Sequence, residues 1–295
     1  MRLGIGLPTF HGNQVSAAEE LEWARLADDA GFHTLTVHDK PNHDTWEPLI
    51  TLAAVAVVTR RARLLTASLL LPTRDEALVA KQSLVVDQVS GGRLDLGVSV
   101  GMREDDFELF GREMRGRGRR FEGQVERILA LWATARETRE TGAGIGPAPI
   151  QEPHPRLWIG GYTDAAIARA VRFGDGYFFG APGLAVMAAR IPMVRAAAAA
   201  AGRDPLPIAG LAYVLPTEDE AELAEGERLL TRYYGPGGKP FRERVITGSK
   251  EAVIEAVRAY EDAGLDLLHL LPVSTSIRTV ERLAADVLPS FGGAA

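Results

Sequence analysis

The sequence predicts an α/β protein whose strands run parallel and close into a barrel. Short, continuously apolar runs recur along the chain, and a stretch with helical spacing follows each one. Strands covered on both faces by their crossover helices read this way. About eight such units fit a closed barrel better than an open doubly wound sheet, which is the second choice. The chain has 295 residues, 46% of them hydrophobic, so it can fill a large core.

The elements follow in order. The first strand is LGIGLP, Leu3 to Pro8. Ser16-Ala17-Ala18-Glu19 then forms a capping box, and the helix it opens runs to Ala30, with Gly31 as the stop. Strand two is His33 to Asp39, followed by a helical pattern from Glu47 to Thr59. Strand three is Ala62 to Leu71, and the helix after it carries Lys81 and Gln82 before the Gly91-Gly92 turn. Strand four is Arg93 to Val100. A long helix covers about Arg120 to Thr134, with Phe121, Val125, Ile128 and Trp132 on one face.

From Arg136 to Pro155 the pattern lapses into Gly, Pro and Thr and reads as an extended loop. Order returns with the strand Arg156 to Gly161, a helix over Ala165 to Phe173, and the strand Asp175 to Gly180. The alanine-rich stretch Leu184 to Ala201 is helical by propensity. Leu206 to Leu215 is the next strand, and Thr217 to Glu220 reads as a second capping box before a helix to about Tyr234. After a break at Gly235 to Pro240 come a helix over Lys250 to Ala263, a strand over Asp266 to Val273 and a last helix over Ile277 to Leu288.

Composition narrows the function. The formal charge is −6, which argues against nucleic acid as a partner. The basic run Arg112 to Phe121 is the local exception and reads as a solvated helix entrance. The absence of cysteine excludes disulfides, thiolate nucleophiles and zinc–thiolate sites. No charged-then-apolar leader opens the chain and no apolar run approaches a membrane span, so a cytoplasmic protein is expected. Gly4 to Gly6 lacks the third glycine of a dinucleotide fingerprint, and Gly142 to Gly146 meets Pro147 where a P-loop needs Lys.

In a parallel barrel the chemistry gathers where the strands end. Those ends carry His11, His38-Asp39-Lys40, Gly101-Met102-Arg103, Gly160-Gly161-Tyr162 and Gly180. Gly160-Gly161-Tyr162-Thr163 opens a helix, and reads either as a phosphate seat or as a plain tight turn. His38 to Asp44 holds two His and two Asp but has no matching partner elsewhere, so no metal site is expected. His269 reads as a hydrogen-bonded core residue. Glu104 and Asp105 read as the acidic first turn of a helix. Phe10, Trp46, Tyr162, Phe178 and Phe179 line an apolar pocket or belong to the core.

Two segments, AKQ…D…SGGRL.LGV..G from Ala80 and IGG…A..FGDGY from Ile159, stand in order between GIGLPT and LHLLP. Together they resemble the luciferase-like monooxygenase family, and the resemblance covers nearly the whole chain. It implies a (β/α)8 TIM barrel with short insertion segments over residues 1–295 as a single domain, and a homodimer. The cofactor it implies is FMN or the deazaflavin coenzyme F-420. By position, the third strand carries a non-prolyl cis peptide at Ala67-Ser68 against which the ring rests, with Asp39 near it. Gly101 and Met102 match the cofactor-contacting end of the fourth strand, and Gly160, Gly161 and Tyr162 match the phosphate-holding segment.

Three positions depart from the pattern. Lys40 stands where many relatives have a catalytic His, Val100 where some have a phosphate-binding Arg, and Met102 where deazaflavin-dependent sugar-phosphate dehydrogenases carry a catalytic Glu. The phosphate anchor then falls to Arg103 or to backbone alone. Lys40 and His11 are the candidate catalytic residues.

The function expected is an oxidoreductase, a monooxygenase using reduced FMN and dioxygen on a small-molecule substrate. A separate flavin reductase, or an F-420 reductase, is the expected partner. Hydride transfer with coenzyme F-420 is the closest rival. A non-catalytic flavin-binding barrel and a metal-dependent hydrolase resting on His38 to Asp44 are the rivals from other classes.

Overall fold

The computed structural model describes residues 1–8, 14–137, 144–235 and 241–292. Its strands are β1 (Arg2–Gly6), β2 (Thr34–Val37), β3 (Arg63–Thr66), β4 (Leu69–Leu70), β5 (Leu94–Ser99), β6 (Arg156–Gly160), β7 (Gly176–Phe179), β8 (Ile208–Leu215), β9 (Val245–Thr247) and β10 (Leu267–Pro272). Parallel pairing runs from β1 through β2, β3, β5, β6 and β7 to β8, and β4 continues the line of β3 beside β5. β10 pairs with both β8 and β1, so eight strand positions close into a barrel. The (β/α)8 expectation holds. The short β9, paired with the C-terminal end of β8 at Tyr213 to Leu215, is not legible in the sequence because three residues carry no period.

Between the strands lie α1 (Ala17–Ala30), α2 (Pro48–Val58), α3 (Glu76–Ser90), α4 (Glu104–Leu109), α5 (Arg117–Glu137), α6 (Asp164–Phe173), α7 (Leu184–Ala200), α8 (Glu220–Tyr234), α9 (Phe241–Arg244), α10 (Lys250–Asp262) and α11 (Arg278–Arg282). The first capping box is present: Glu19 N–H donates to Ser16 Oγ, and the Glu19 carboxylate accepts from Ser16 N–H. The second is not. Asp219 caps α8 by accepting from the N–H groups of Ala221 and Glu222. Thr217 Oγ1 instead accepts from Asp219 N–H at 3.1 Å, two residues too early to cap the helix.

Alternation along each strand sorts the core into two clusters. Leu35, Leu64, Leu96 and Ile159 face outward and pack with helix residues such as Trp23, Leu52, Val79 and Val125. The intervening residues Leu65, Trp158, Phe178, Leu211 and Leu271 fill the barrel interior. Packing there is tight. A Cβ on Gly160 would lie 2.4 Å from the Phe178 ring, so only glycine leaves that ring its place. Phe179, one residue on, belongs to the outer cluster and not to a pocket.

Arg136 lies within α5 (Arg117–Glu137), and residues 144–155 are irregular, with cis peptides at Gly146-Pro147 and Glu152-Pro153. Among the described residues no helix is long and apolar enough to cross a membrane.

Candidate functional site

A cavity of about 420 Å³ opens at the C-terminal ends of the strands. Nine residues named from the sequence line it together: Asp39, Lys40, Ala67, Ser68, Gly101, Met102, Gly160, Gly161 and Tyr162. His11 and Phe10 lie outside the described residues. The floor is apolar, made by Leu211, Leu271 and Phe178 from the barrel interior.

One wall is the interrupted third strand. The Ala67-Ser68 peptide is cis. Ser68 Oγ donates to Ser99 Oγ at 2.7 Å, tying this wall to the end of β5. Asp39 stands beside it, but its carboxylate is already engaged. It accepts from Leu70 N–H at 2.8 Å and from Arg74 Nη2 at 3.0 Å. Arg74 also reaches Glu47, which in turn caps α2 through Ile50 N–H. Burial pushes the Asp39 carboxyl up, while Arg74 and the Leu70 N–H pull it down. Arg74 was not singled out from the sequence; its partner lies 35 positions away, and nothing local signals the pair.

A second wall is backbone-rich. Gly161, at φ +152° and with an added Cβ only 2.6 Å from Ala166 Cβ, brings the chain close over the first turn of α6. Thr163 caps that helix, its hydroxyl accepting from Ala166 N–H. The other first-turn N–H groups are those an anion would take. Arg103 lines the cavity, and its guanidinium donates to Asp105 at 3.1 Å through Nε and also pairs with Asp106. The basic run read as solvated contributes as well. Arg117 lines the cavity and donates to Gly101 O at 3.0 Å, and Arg120 donates to Pro72 O at 3.2 Å. Met102 sits at the rim, 67% exposed, and accepts through sulfur from Tyr162 Oη at 3.4 Å.

The third wall is aromatic and cationic. Lys40 is 6% exposed, with its ammonium donating to the Tyr233 carbonyl and lying 4.1 Å from the centre of the same residue's ring. Tyr233 and Tyr234 meet edge to face at 5.0 Å, and the hydroxyls of Tyr213 and Tyr234 share a hydrogen bond of 2.6 Å. Arg244 stacks 3.9 Å over Tyr234. From the sequence these tyrosines were only the end of a helix and part of a strand. Asp106 also reaches the cavity and accepts from Asn42 N–H at 3.2 Å, whereas Glu104 and Asp105 sit in the first turn of α4 as expected.

The His38 to Asp44 segment is dispersed among separate partners. His38 lines the cavity, and burial lowers its pKa to about 4. His43 pairs with Asp44, and Asp44 with Arg232. Among the described residues no three His, Cys, Asp or Glu side chains gather as a metal site.

The residues present fit a flat, phosphorylated ring cofactor. The floor is apolar, and a Cβ on Gly180 would meet nothing nearer than the Tyr162 ring at 3.5 Å, so that edge of the cavity is open. A helix N-terminus and Arg117 border the same space.

A barrel with this strand-end cavity defines a class, and comparison with known proteins names it. The chain belongs to the luciferase-like monooxygenase family, whose model matches residues 1–235. It is 31% identical over 155 residues to the FMNH2-dependent dimethylsulfone monooxygenase of Pseudomonas putida, a match covering 50% of this chain and 42% of that protein. The chain spans about half the length of the first curated relatives it matches, 48% of each. Among solved structures, monooxygenase RslO1 from Streptomyces bottropensis is 25% identical with a TM-score of 0.81, covering 99% of this chain and 100% of that one. An F-420-dependent secondary alcohol dehydrogenase, 17% identical with a TM-score of 0.80 over 99% of both chains, shares the fold.

Proposed function

We propose that this protein is a flavin-dependent oxidoreductase, a monooxygenase that uses reduced FMN and dioxygen on a small organic molecule. The observation that carries the reading is the single cavity in which Ala67, Ser68, Gly101, Gly160, Gly161 and Tyr162 meet over an apolar floor. Family membership and the printed activity of the Pseudomonas relative support it.

Bound reduced FMN supplies the electrons that activate dioxygen. The protein's own part is to hold, orient and shield. Ala67, Ser68 and Gly101 form the wall for the ring, with the Ser68–Ser99 hydrogen bond fixing its polar edge. Gly161, Tyr162 and the N-terminus of α6, with Arg117 nearby, take the phosphate. Leu211, Leu271 and Phe178 keep water from the reacting face. Asp39 acts through the wall it braces, since Arg74 and Leu70 occupy its carboxylate. Lys40 holds a positive charge at the cavity, and His11 is retained as a candidate proton carrier on its position after β1.

A separate flavin reductase as partner, a homodimer, a cytoplasmic location and one barrel domain over residues 1–295 complete the proposal. The test is stopped-flow mixing of the protein and reduced FMN with oxygenated buffer. Flavin reoxidation slowed relative to free FMN supports a monooxygenase. Reoxidation at the free rate despite tight binding overturns it, and leaves a non-catalytic flavin-binding barrel.

A further inference from the structure

Resting on the flavin reading, the question left open is what the rest of the cavity receives. Lys40 is the telling residue. Its ammonium is buried, and among the described residues it has one hydrogen-bond acceptor, the Tyr233 carbonyl, and no ion pair. An ammonium offers three donors, and a buried charge left without a counter-ion is costly.

None of the nearby acids forms an ion pair with Lys40, and each has a closer partner. Asp39 is held by Arg74, and Asp44 by His43 and Arg232. Asp105 is held by Arg103 and Asn42, and Asp106 accepts from Asn42 N–H and faces Arg103. Burial is the main effect that disfavours the charged ammonium and Arg103 adds to it, while Asp106 and Asp105 offset part of the loss from a distance.

Around this charge the cavity is walled by rings. Tyr213, Tyr233, Tyr234 and Phe178 all line it, and Arg244, with no ion pair among the described residues, caps Tyr234 from the other side. Ring faces and edges of this kind favour a flat aromatic guest.

We infer that the Lys40–tyrosine wall is the substrate seat, and that it recognises an aromatic carboxylate, with the carboxylate on Lys40 Nζ and the ring among Tyr213, Tyr233 and Tyr234. Lys40 is then the specificity-determining residue, holding its charge for the substrate.

The test is calorimetric titration of the protein, with FMN bound and without it, by benzoate, benzamide and acetate. These probes separate ring and charge. Benzoate binds at least roughly tenfold more tightly than either of the others. Lys40→Met brings benzoate to the level of benzamide, and Lys40→Arg restores most of the difference. The comparison of probes on the unmodified protein stands even where a variant folds poorly.

Benzamide binding as well as benzoate, benzoate not binding at millimolar concentration, or Lys40→Met binding benzoate unchanged would each overturn the inference. So would a Lys40→Met variant that loses FMN affinity and keeps benzoate, since the charge would then belong to the cofactor's phosphate. Failure of the protein to bind any flavin sinks the cofactor reading separately, because the probe titrations without FMN are independent of it.

Discussion

Arg74 grips Asp39 through Nη2, 3.0 Å from each carboxylate oxygen, and by doing so braces the wall of the cavity. The same carboxylate holds Leu70 N–H, and Gln124 Nε2 donates to Arg74 O at 2.9 Å, so strand end, wall and α5 share one anchor. The pair is well buried, with side-chain exposures of 15% and 3%. Arg74→Gln strands a buried carboxylate and is expected to cost about 3–5 kcal/mol, whereas Arg74→Lys, which keeps the charge without the fork, costs less. Urea unfolding of the two variants measures the difference; equal and small losses would contradict the bracing role.

Glu20, on the buried face of α1, offers a prediction in pH. It is 1% exposed, its Oε1 has no hydrogen-bond partner, and burial raises its pKa to about 8 from 4.5. The folded state therefore keeps a proton that the unfolded chain releases above its own, lower pKa. The stability this proton gives is fully present below about pH 4.5 and is lost as pH rises through 8. Unfolding free energy should fall across that window with a slope from this group of up to about 1.4 kcal/mol per pH unit. Glu20→Gln removes the slope. A variant whose pH profile between 5 and 8 matches the unmodified protein's would refute the assignment.

Gly160 makes room for Phe178, a floor residue of the cavity. Gly160→Ala forces the ring to move and should cost about 1–3 kcal/mol as overpacking. It should also weaken FMN, because the floor shifts beneath it. Thermal melts and FMN titration read the two effects, and unchanged values in both would show that the ring has slack.

The cap of α8 separates two neighbouring residues. Asp219→Ala removes the acceptor for two N–H groups and should lose about 1 kcal/mol. Thr217→Ala, two residues earlier, should lose less. The reverse order would restore the capping box expected from the sequence.

Much of the barrel was legible because period and burial act locally. Continuous apolar runs, the Ser16–Glu19 box and the Gly91-Gly92 turn each signal their element within a few residues. The cavity's glycines were legible too, since strand ends converge in any closed parallel barrel. What the sequence did not disclose depends on distant partners. Asp39 and Arg74 are 35 residues apart, and the ion pairs of Arg103 with Asp105 and Asp106 follow from the turn of α4. Arg117 was hidden in a run of charges that reads as solvated. Tyr233 and Tyr234 join Lys40 only because α8 ends over β2, a contact across 193 positions that no local pattern encodes.

The most direct test of the account is an anaerobic calorimetric titration of the unmodified protein with reduced FMN, oxidised FMN and coenzyme F-420. The account predicts stoichiometric binding of reduced FMN, tighter than that of the oxidised form and of F-420. Selective binding of F-420 would contradict it and make the protein a hydride-transfer enzyme; binding of none of the three would remove the flavin from the cavity altogether.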